Sequence, residues 1–307
     1  MTRTRTRGRL AAAVGAFAAL CLALTACGSG GGGGDAAAGT NVDGAPVADD
    51  SLITKGSVME KIRKDGVLTV AAALDAPLLS QQDPTNPDKV EGFDITLAKL
   101  LAKYIIGKPK VKIVPPASET REALLRNGTV DVVFNTYTIT EERAKQVSFA
   151  GPYFMSGLAV AVPADNTDIK GVDDLGGKTV IVGANTPAVE AVPEHQPSAK
   201  VVTFGTDPQA VQALTQGRGD AYVQDYLLLA TNAAKNSDLK VVGQPFTEEP
   251  YGIGLPPDEP EFKTFVNDWL RKVQKGGQWK KAWQDSIGTA VDSKAPKPPE
   301  IGSVPGS

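Results

Sequence analysis

The run Asn135-Thr136-Tyr137-Thr138-Ile139-Thr140-Glu141-Glu142-Arg143 gathers an amide, several hydroxyls and a guanidinium into one short segment. Such groups can hold a carboxylate: the arginine offers a planar fork for a bidentate pair, and hydroxyls and free backbone amides complete the shell. The preceding Val130-Asp131-Val132-Val133-Phe134 reads as a buried parallel strand. Thr140, with Glu141 and Glu142 behind it, reads as a helix N-cap followed by carboxylates that complement the helix dipole. A loop joining such a strand to such a helix lies at the carboxyl end of the sheet, where open α/β folds bind ligands. A plain strand-to-helix turn with a solvated arginine has the same local pattern.

Other loops offer compatible chemistry. Gly183-Ala184-Asn185-Thr186-Pro187 follows a strand and opens a helix. Thr186 is its N-cap with Pro187 at N1, and this terminus can either take a second share of an anion or serve as a cap alone. Asp225 stands between the strand over 220–223 and the next helix, an N-cap position. Ser118 and Arg121 form a Ser-x-x-Arg at a helix start, which capping and a solvated face also explain. Metal and nucleophilic chemistry find little material. The one histidine, His195, lies in a polar segment, and neither a cysteine cluster nor a Ser-His-Asp set can be assembled. Asp173-Asp174 reads as a helix start. No metal and no cofactor are expected.

The elements that must position these loops alternate along the chain. From about Ser51 to Gly288, short apolar runs trade with longer amphipathic ones, the mark of an α/β fold. Strands are expected at 67–73, 111–114, 158–162, 179–182, 200–204, 220–223, 239–242 and 251–255. Helices are expected at 94–106, 118–127, 187–192, 208–216, 226–235, 261–275 and 279–286, with one more between Ser57 and Gly66. About 240 residues exceed one usual core and suit two lobes.

Asn135 to Tyr153, including Val147-Ser148-Phe149-Ala150-Gly151-Pro152-Tyr153, resembles a segment of the bacterial extracellular solute-binding proteins of family 3. These are receptors for polar amino acids in ATP-driven importers. Their pattern is a small-polar strand end, a threonine, an arginine five residues later, then Phe-x-x-Pro-Tyr. Gly92-Phe93-Asp94-Ile95, running into Leu97 to Ala102, matches a second signature, with Thr96 where the family usually has an acid. The resemblance covers roughly Gly66 to Gly288. It implies a two-lobed periplasmic-binding-protein-like (type II) fold with a ligand cleft between the lobes. Lobe one would take residues 51–159 plus 250–288 and lobe two 160–249, with hinge crossings near 160–163 and 244–249.

The same resemblance assigns roles. Arg143, Thr138 and the amides near Asn135 and Thr136 would hold a ligand α-carboxylate, beside which the terminus at Thr186 either shares the anion or only caps, and Asp225 would meet the ammonium. Ser118 and Arg121 would meet a distal carboxylate, as in glutamate- and aspartate-binding members. That favours glutamate or aspartate, with glutamine or asparagine next. The loop Asp75-Ala76-Pro77-Leu78-Leu79-Ser80 departs from many relatives: it has no aromatic lid and adds no second cation. The implied protein is no enzyme. It binds a free amino acid and delivers it, as a monomer, to an ABC permease with its ATPase subunit. The alternative is an enzyme on the same fold, such as a cyclohexadienyl-type dehydratase, keeping Arg143 and using Glu190 or Asp225 as catalytic carboxylate.

The ends of the chain speak to location. Arg3, Arg5, Arg7 and Arg9 precede an apolar run from Leu10 to Leu24. This is a signal segment over 1–26, since a lasting span needs about 20 apolar residues. Leu24-Thr25-Ala26-Cys27-Gly28 resembles a lipoprotein cleavage box, which implies lipidation of Cys27 and a cell-membrane location on the extracytoplasmic face. Cys21 falls in the removed part, so no disulfide framework is expected. The Gly-rich stretch over 27–50 is a flexible tether, and 289–307, rich in Pro and Lys, is a disordered tail. Net charge is −3. Loss of the four signal arginines takes it to about −7, a balance that argues against nucleic-acid binding.

Overall fold

The backbone signals of the sequence recur as cap geometry. The helix α1 (Val58–Asp65) opens on Ser57, whose hydroxyl accepts the Glu60 amide, and ends where Gly66 turns left-handed at φ 65°. The helix α2 (Phe93–Ile106) likewise stops at left-handed Gly107. Glycine bears these conformations without a Cβ penalty. The computed structural model describes Val42, 44–290 and 294–307. The signal segment, Cys27 and the tether as far as residue 41 lie outside the described residues.

Two five-stranded sheets make the two lobes. The first has the order β5-β1-β6-β13-β7, from β1 (Leu68–Ala71), β5 (Val111–Val114), β6 (Val132–Val133), β7 (Ser148–Ser156) and β13 (Glu249–Leu255). β1 pairs in parallel with β5 and β6, and β13 runs antiparallel between β6 and β7. The second sheet has the order β10-β9-β11-β8-β12. It contains β8 (Leu158–Pro163), β9 (Thr179–Gly183), β10 (Lys200–Phe204), β11 (Ala221–Asp225) and β12 (Leu239–Val242). Here β9 lies parallel to β10 and β11, while β8 is antiparallel to β11 and β12. The helices α3 (Arg121–Arg126), α4 (Glu141–Ala144), α8 (Pro260–Lys275) and α9 (Gln278–Gln284) accompany the first sheet in sequence. The second has α5 (Ala188–His195), α6 (Asp207–Thr215) and α7 (Tyr226–Ala233).

Lobe one packs around aromatic rings. Phe93 of α2 meets Trp279 of α9 edge-on at 5.6 Å, a geometry worth about 0.5–1.5 kcal/mol beyond its buried area. The Trp279 indole N–H donates to the Tyr153 carbonyl at 2.8 Å, tying α9 to β7. Lobe two has a smaller core on each face of its sheet, one around Val182 and Val192, the other around Ile181 and Leu214.

Four boundaries differ from the sequence reading. The first crossing lies at Gly157, because β8 already belongs to the second sheet from Leu158; residues 158 and 159 therefore leave lobe one. A Cβ at Gly157 would lie 2.3 Å from the Thr247 carbonyl oxygen, so the two crossing segments touch there. Leu158 N donates to Thr247 Oγ1 and Phe246 N to Leu158 O, both at 2.9 Å. Residues 44–50, expected within the tether, pack on lobe one: Ala45 and Ala48 are buried, and Ala48 N donates to Tyr104 O in α2. Residues 294–307 do not hang free: Gly302 N donates to Gly151 O, Gln274 Nε2 to Pro299 O, and Val304 packs on the cluster containing Ile139 and Phe149. Finally, the loop after β1 forms a small antiparallel sheet of β2 (Asp75–Ala76), β3 (Ser80–Asp83) and β4 (Asn86–Glu91). Its polar strands lack the apolar alternation that sequence reading relies on.

Candidate functional site

A cleft of about 280 Å³ is lined from both lobes, by the loops after β1, β5 and β6 on one side and those after β9, β10 and β11 on the other. That volume is at the small end for ligand sites and suits one small molecule rather than a peptide. Its geometry begins with Thr140, whose hydroxyl accepts the Arg143 amide and starts α4. The cap fixes the turn that sends the Arg143 side chain back toward the strand end. There it is buried, with Nη1 donating to the Thr138 carbonyl at 2.7 Å. Thr138 faces Tyr251 of β13 in an isolated antiparallel bridge, flanked by Ile139 N→Pro250 O and Gly252 N→Tyr137 O. In that pairing the Thr138 N–H and C=O point away from β13, on the arginine's side.

Arg121 comes to the same place. Its Nε donates to Ser118 O at 3.0 Å, Nη1 to Asn135 O and Nη2 to Asn185 O, both at 3.4 Å. Arg143 Nη2 donates to that same Asn185 oxygen at 2.7 Å. Both guanidiniums also lie on the Tyr137 ring, at 4.5 and 4.9 Å from its centroid. Such contacts each contribute roughly 0.5–2 kcal/mol. Like charges this close need a counter-charge, and Glu122 supplies it. Its Oε1 accepts the Tyr137 hydroxyl at 2.7 Å and sits 3.5 Å from Arg143 Nε; Oε2 accepts Asn185 Nδ2 at 3.4 Å. Burial and the neighbouring Arg143 pull Arg121 down to about 10, and burial lowers Arg143 as well. Both remain charged at neutral pH.

The opposite charge comes from β11. Asp225 is buried and caps α7, its Oδ1 accepting the amides of Leu227 and Leu228 and the Tyr251 hydroxyl. Asp225 lines the cleft, and its Oδ2 is buried without a hydrogen-bond partner at full bonding distance, the Ser156 hydroxyl, likewise unpartnered, being the nearest further donor to the carboxylate. Burial pushes the carboxyl up to about 6 against the pull of Tyr251, Ser156 and the two amides. An orphan carboxylate oxygen in such a place costs free energy unless a donor reaches it.

The eight ligand-binding candidates of the sequence all line this cleft, but several of their groups are already used. Asn135 spends its side chain on the Ala73 amide and its carbonyl on Arg121. Thr136 adopts φ 44° and its amide donates to Asp94 Oδ2 at 3.0 Å, so that amide is not available to an anion. Thr186 does not cap α5: its hydroxyl donates to Gly183 O, and Pro187 takes the cap position. Ser118 begins a 3-10 turn after Ala117 and caps no helix either. Sequence reading did not assign roles to Glu122, Asp94, Asp207 or Glu249. Asp94 had a signal, since it belongs to the Gly92-Phe93-Asp94 signature. It accepts the Tyr153 hydroxyl and the Thr136 amide, and burial raises it to about 6. Gly92, two residues before it, is required: φ is 128°, and a Cβ there would fall 2.4 Å from the Leu79 backbone. Among the described residues no group of three potential metal ligands comes together, and no helix is long and apolar enough to cross a membrane.

Comparison with known proteins agrees with this architecture. A family model described as bacterial extracellular solute-binding proteins, family 3, matches residues 68–288. The chain is 38% identical over 214 residues to a glutamine-binding protein of Geobacillus stearothermophilus, covering 69% of this chain and 80% of that one. It is 30% identical over 254 residues to the glutamate/aspartate import solute-binding protein of Escherichia coli, covering 79% and 83%. A solved structure of an ancestral arginine-binding protein bound to glutamine superposes with a TM-score of 0.68 at 35% identity, covering 73% of this chain and 98% of that one.

Proposed function

The chain belongs to the bacterial extracellular solute-binding proteins of family 3, and from that premise we propose that it is the substrate-binding lipoprotein of an ABC importer for a polar amino acid. The observation that carries this reading is the pairing of charges in one cleft: the Arg143–Arg121 anion site on one side and the orphan Asp225 Oδ2 on the other. A free amino acid presents a carboxylate and an ammonium, and this cleft offers an acceptor and a donor set matched to both. Arg143 and the Thr138 amide hold the carboxylate, and Asp225 holds the ammonium. The relatives named for glutamine and for glutamate and aspartate support the polar class. Ser118 and Arg121 put glutamate or aspartate first by sequence. The convergence of both arginines on one carbonyl oxygen weakens that order, because the two then serve a single anion.

The protein works as a monomer, anchored through lipid on Cys27 at the extracytoplasmic face of the cell membrane, and passes its ligand to a permease driven by an ATPase subunit. It is no enzyme. Glu190, one of two candidate acids for a dehydratase, lies exposed on α5 and does not line the cleft, and the other, Asp225, has one oxygen occupied by three donors. Titration calorimetry of the protein against a panel of L-amino acids tests the reading. Tight one-to-one binding of a polar member is expected, and heat from none of them would remove the proposal.

A further inference from the structure

Asp207, the first residue of α6, lines the cleft with a fixed carboxylate. Its Oδ1 accepts the Tyr222 hydroxyl at 2.7 Å and its Oδ2 accepts Asn232 Nδ2 at 2.6 Å. Both oxygens are held in place, and each keeps a lone pair free. From the other lobe Asp75 of β2 lines the same cleft. No lysine or arginine forms an ion pair with either carboxylate among the described residues. Burial, and after it the charge of Asp75, raises the pKa of Asp207, and burial raises that of Asp75, while Arg121 and Arg143 are engaged at the Asn185 carbonyl.

The ligand's own ends are already accounted for on the reading above, on which this inference rests. The α-carboxylate goes to Arg143 and the α-ammonium to Asp225, whose unpartnered Oδ2 is itself buried. What remains facing Asp75 and Asp207 is the ligand side chain. We propose that Asp207, opposed by Asp75, determines specificity by selecting α-amino acids whose side chain ends in a nitrogen donor over those ending in a carboxylate. An amide, ammonium or guanidinium N–H supplies the donor that this wall lacks. A terminal carboxylate would add a third negative group, and a site built for a donor discriminates strongly against a group that cannot donate. The ranking of glutamate and aspartate first, drawn from Ser118 and Arg121, is thereby reversed.

Asp207 also braces α6 against β11 and α7 through Tyr222 and Asn232, so its test must separate brace from selector. Calorimetric binding of glutamine, ornithine and glutamate is measured on the full chain and on Asp207→Asn and Tyr222→Phe. In the parent, glutamine or ornithine binds at least tenfold tighter than glutamate, and which of the two is tighter tells an amide from a cationic ligand. Asp207→Asn narrows that ratio at least fivefold by weakening the nitrogen-ended ligands. Tyr222→Phe loosens the brace but keeps the carboxylate and leaves the ratio intact. Glutamate as the tightest parent ligand, or an unchanged ratio in Asp207→Asn, overturns the proposal while the amino-acid receptor stands. Absence of binding by every amino acid removes both.

Discussion

Arg143 of α4 donates Nη2 to the backbone oxygen of Asn185, 42 residues away in the second lobe, at 2.7 Å. One guanidinium thus lines the cleft and joins the lobes. Asn185 returns the contact through Nδ2, to Ser118 O at 3.3 Å and Glu122 Oε2 at 3.4 Å, and holds φ 53° to do so. On the proposed function, loss of this side chain should therefore weaken both ligand binding and the contact between the lobes.

Replacing Arg143 by alanine removes the fork and leaves the ligand carboxylate poorly matched. A loss of about 2–5 kcal/mol is expected, thirtyfold or more in affinity. Arg143→Lys keeps the charge without the planar fork and should fall between. Calorimetry on folded variants, checked by circular dichroism, measures both; parent-like affinity for Arg143→Ala would place the carboxylate elsewhere.

Binding should depend on pH through Asp225. Its pKa stands at about 6 instead of the ordinary 3.8, raised by burial. A carboxyl raised in the folded state favours folding when protonated, so this contribution to stability is present at acid pH and lost as pH rises toward 6. Ligand binding has the opposite sign, because an ammonium needs the ionised form. Affinity should be level above pH 6–7 and fall by roughly tenfold per unit below about 6, with protons released on binding at pH 5. Asp94, also near 6, faces its own two donors, so Asp225→Asn should flatten the profile as it weakens binding.

Glu122 is the counter-charge for two buried arginines. Its replacement by alanine leaves them without it and orphans the Tyr137 hydroxyl, and should cost about 3–5 kcal/mol of stability. Tyr137→Phe removes one hydrogen bond and keeps both ring contacts; about 1 kcal/mol is expected. Denaturant unfolding of the two variants compares them directly, and equal small losses would show that Glu122 is dispensable.

Deleting residues 294–307 uncovers the cluster under Val304 and frees Gly151 O. Each kcal/mol lost in a domain of this size lowers the melting temperature by roughly 2–4 °C. A fall of several degrees is expected in a thermal scan, and an unchanged melting curve would mean that the tail adds nothing.

Cys27→Ala should leave the protein unprocessed or released from the membrane. Fractionation of cells that express it reads this out: if the variant is cleaved and partitions as the parent does, the lipid anchor is wrong.

What the sequence by itself determined is what acts over a few residues. The apolar runs place the strands except β2 to β4 and β7, Ser57 and Thr140 cap their helices, Gly66 and Gly107 end theirs, and Asp225 caps α7 as its position between strand and helix implies. The loop with Arg143 and the alternation that marks an α/β fold follow from the same local rules, and the length of the folded part suits two lobes. The tertiary structure alone decided which charges meet. It gave the Thr136 amide to Asp94, set Glu122 between Tyr137 and Arg143, turned Asn185 toward both arginines, and laid the C-terminal residues on lobe one. Capping and periodicity are properties of neighbouring residues, legible one turn at a time. The partner of a buried charge depends on which distant segments dock and exclude water, and no spacing along the chain records that.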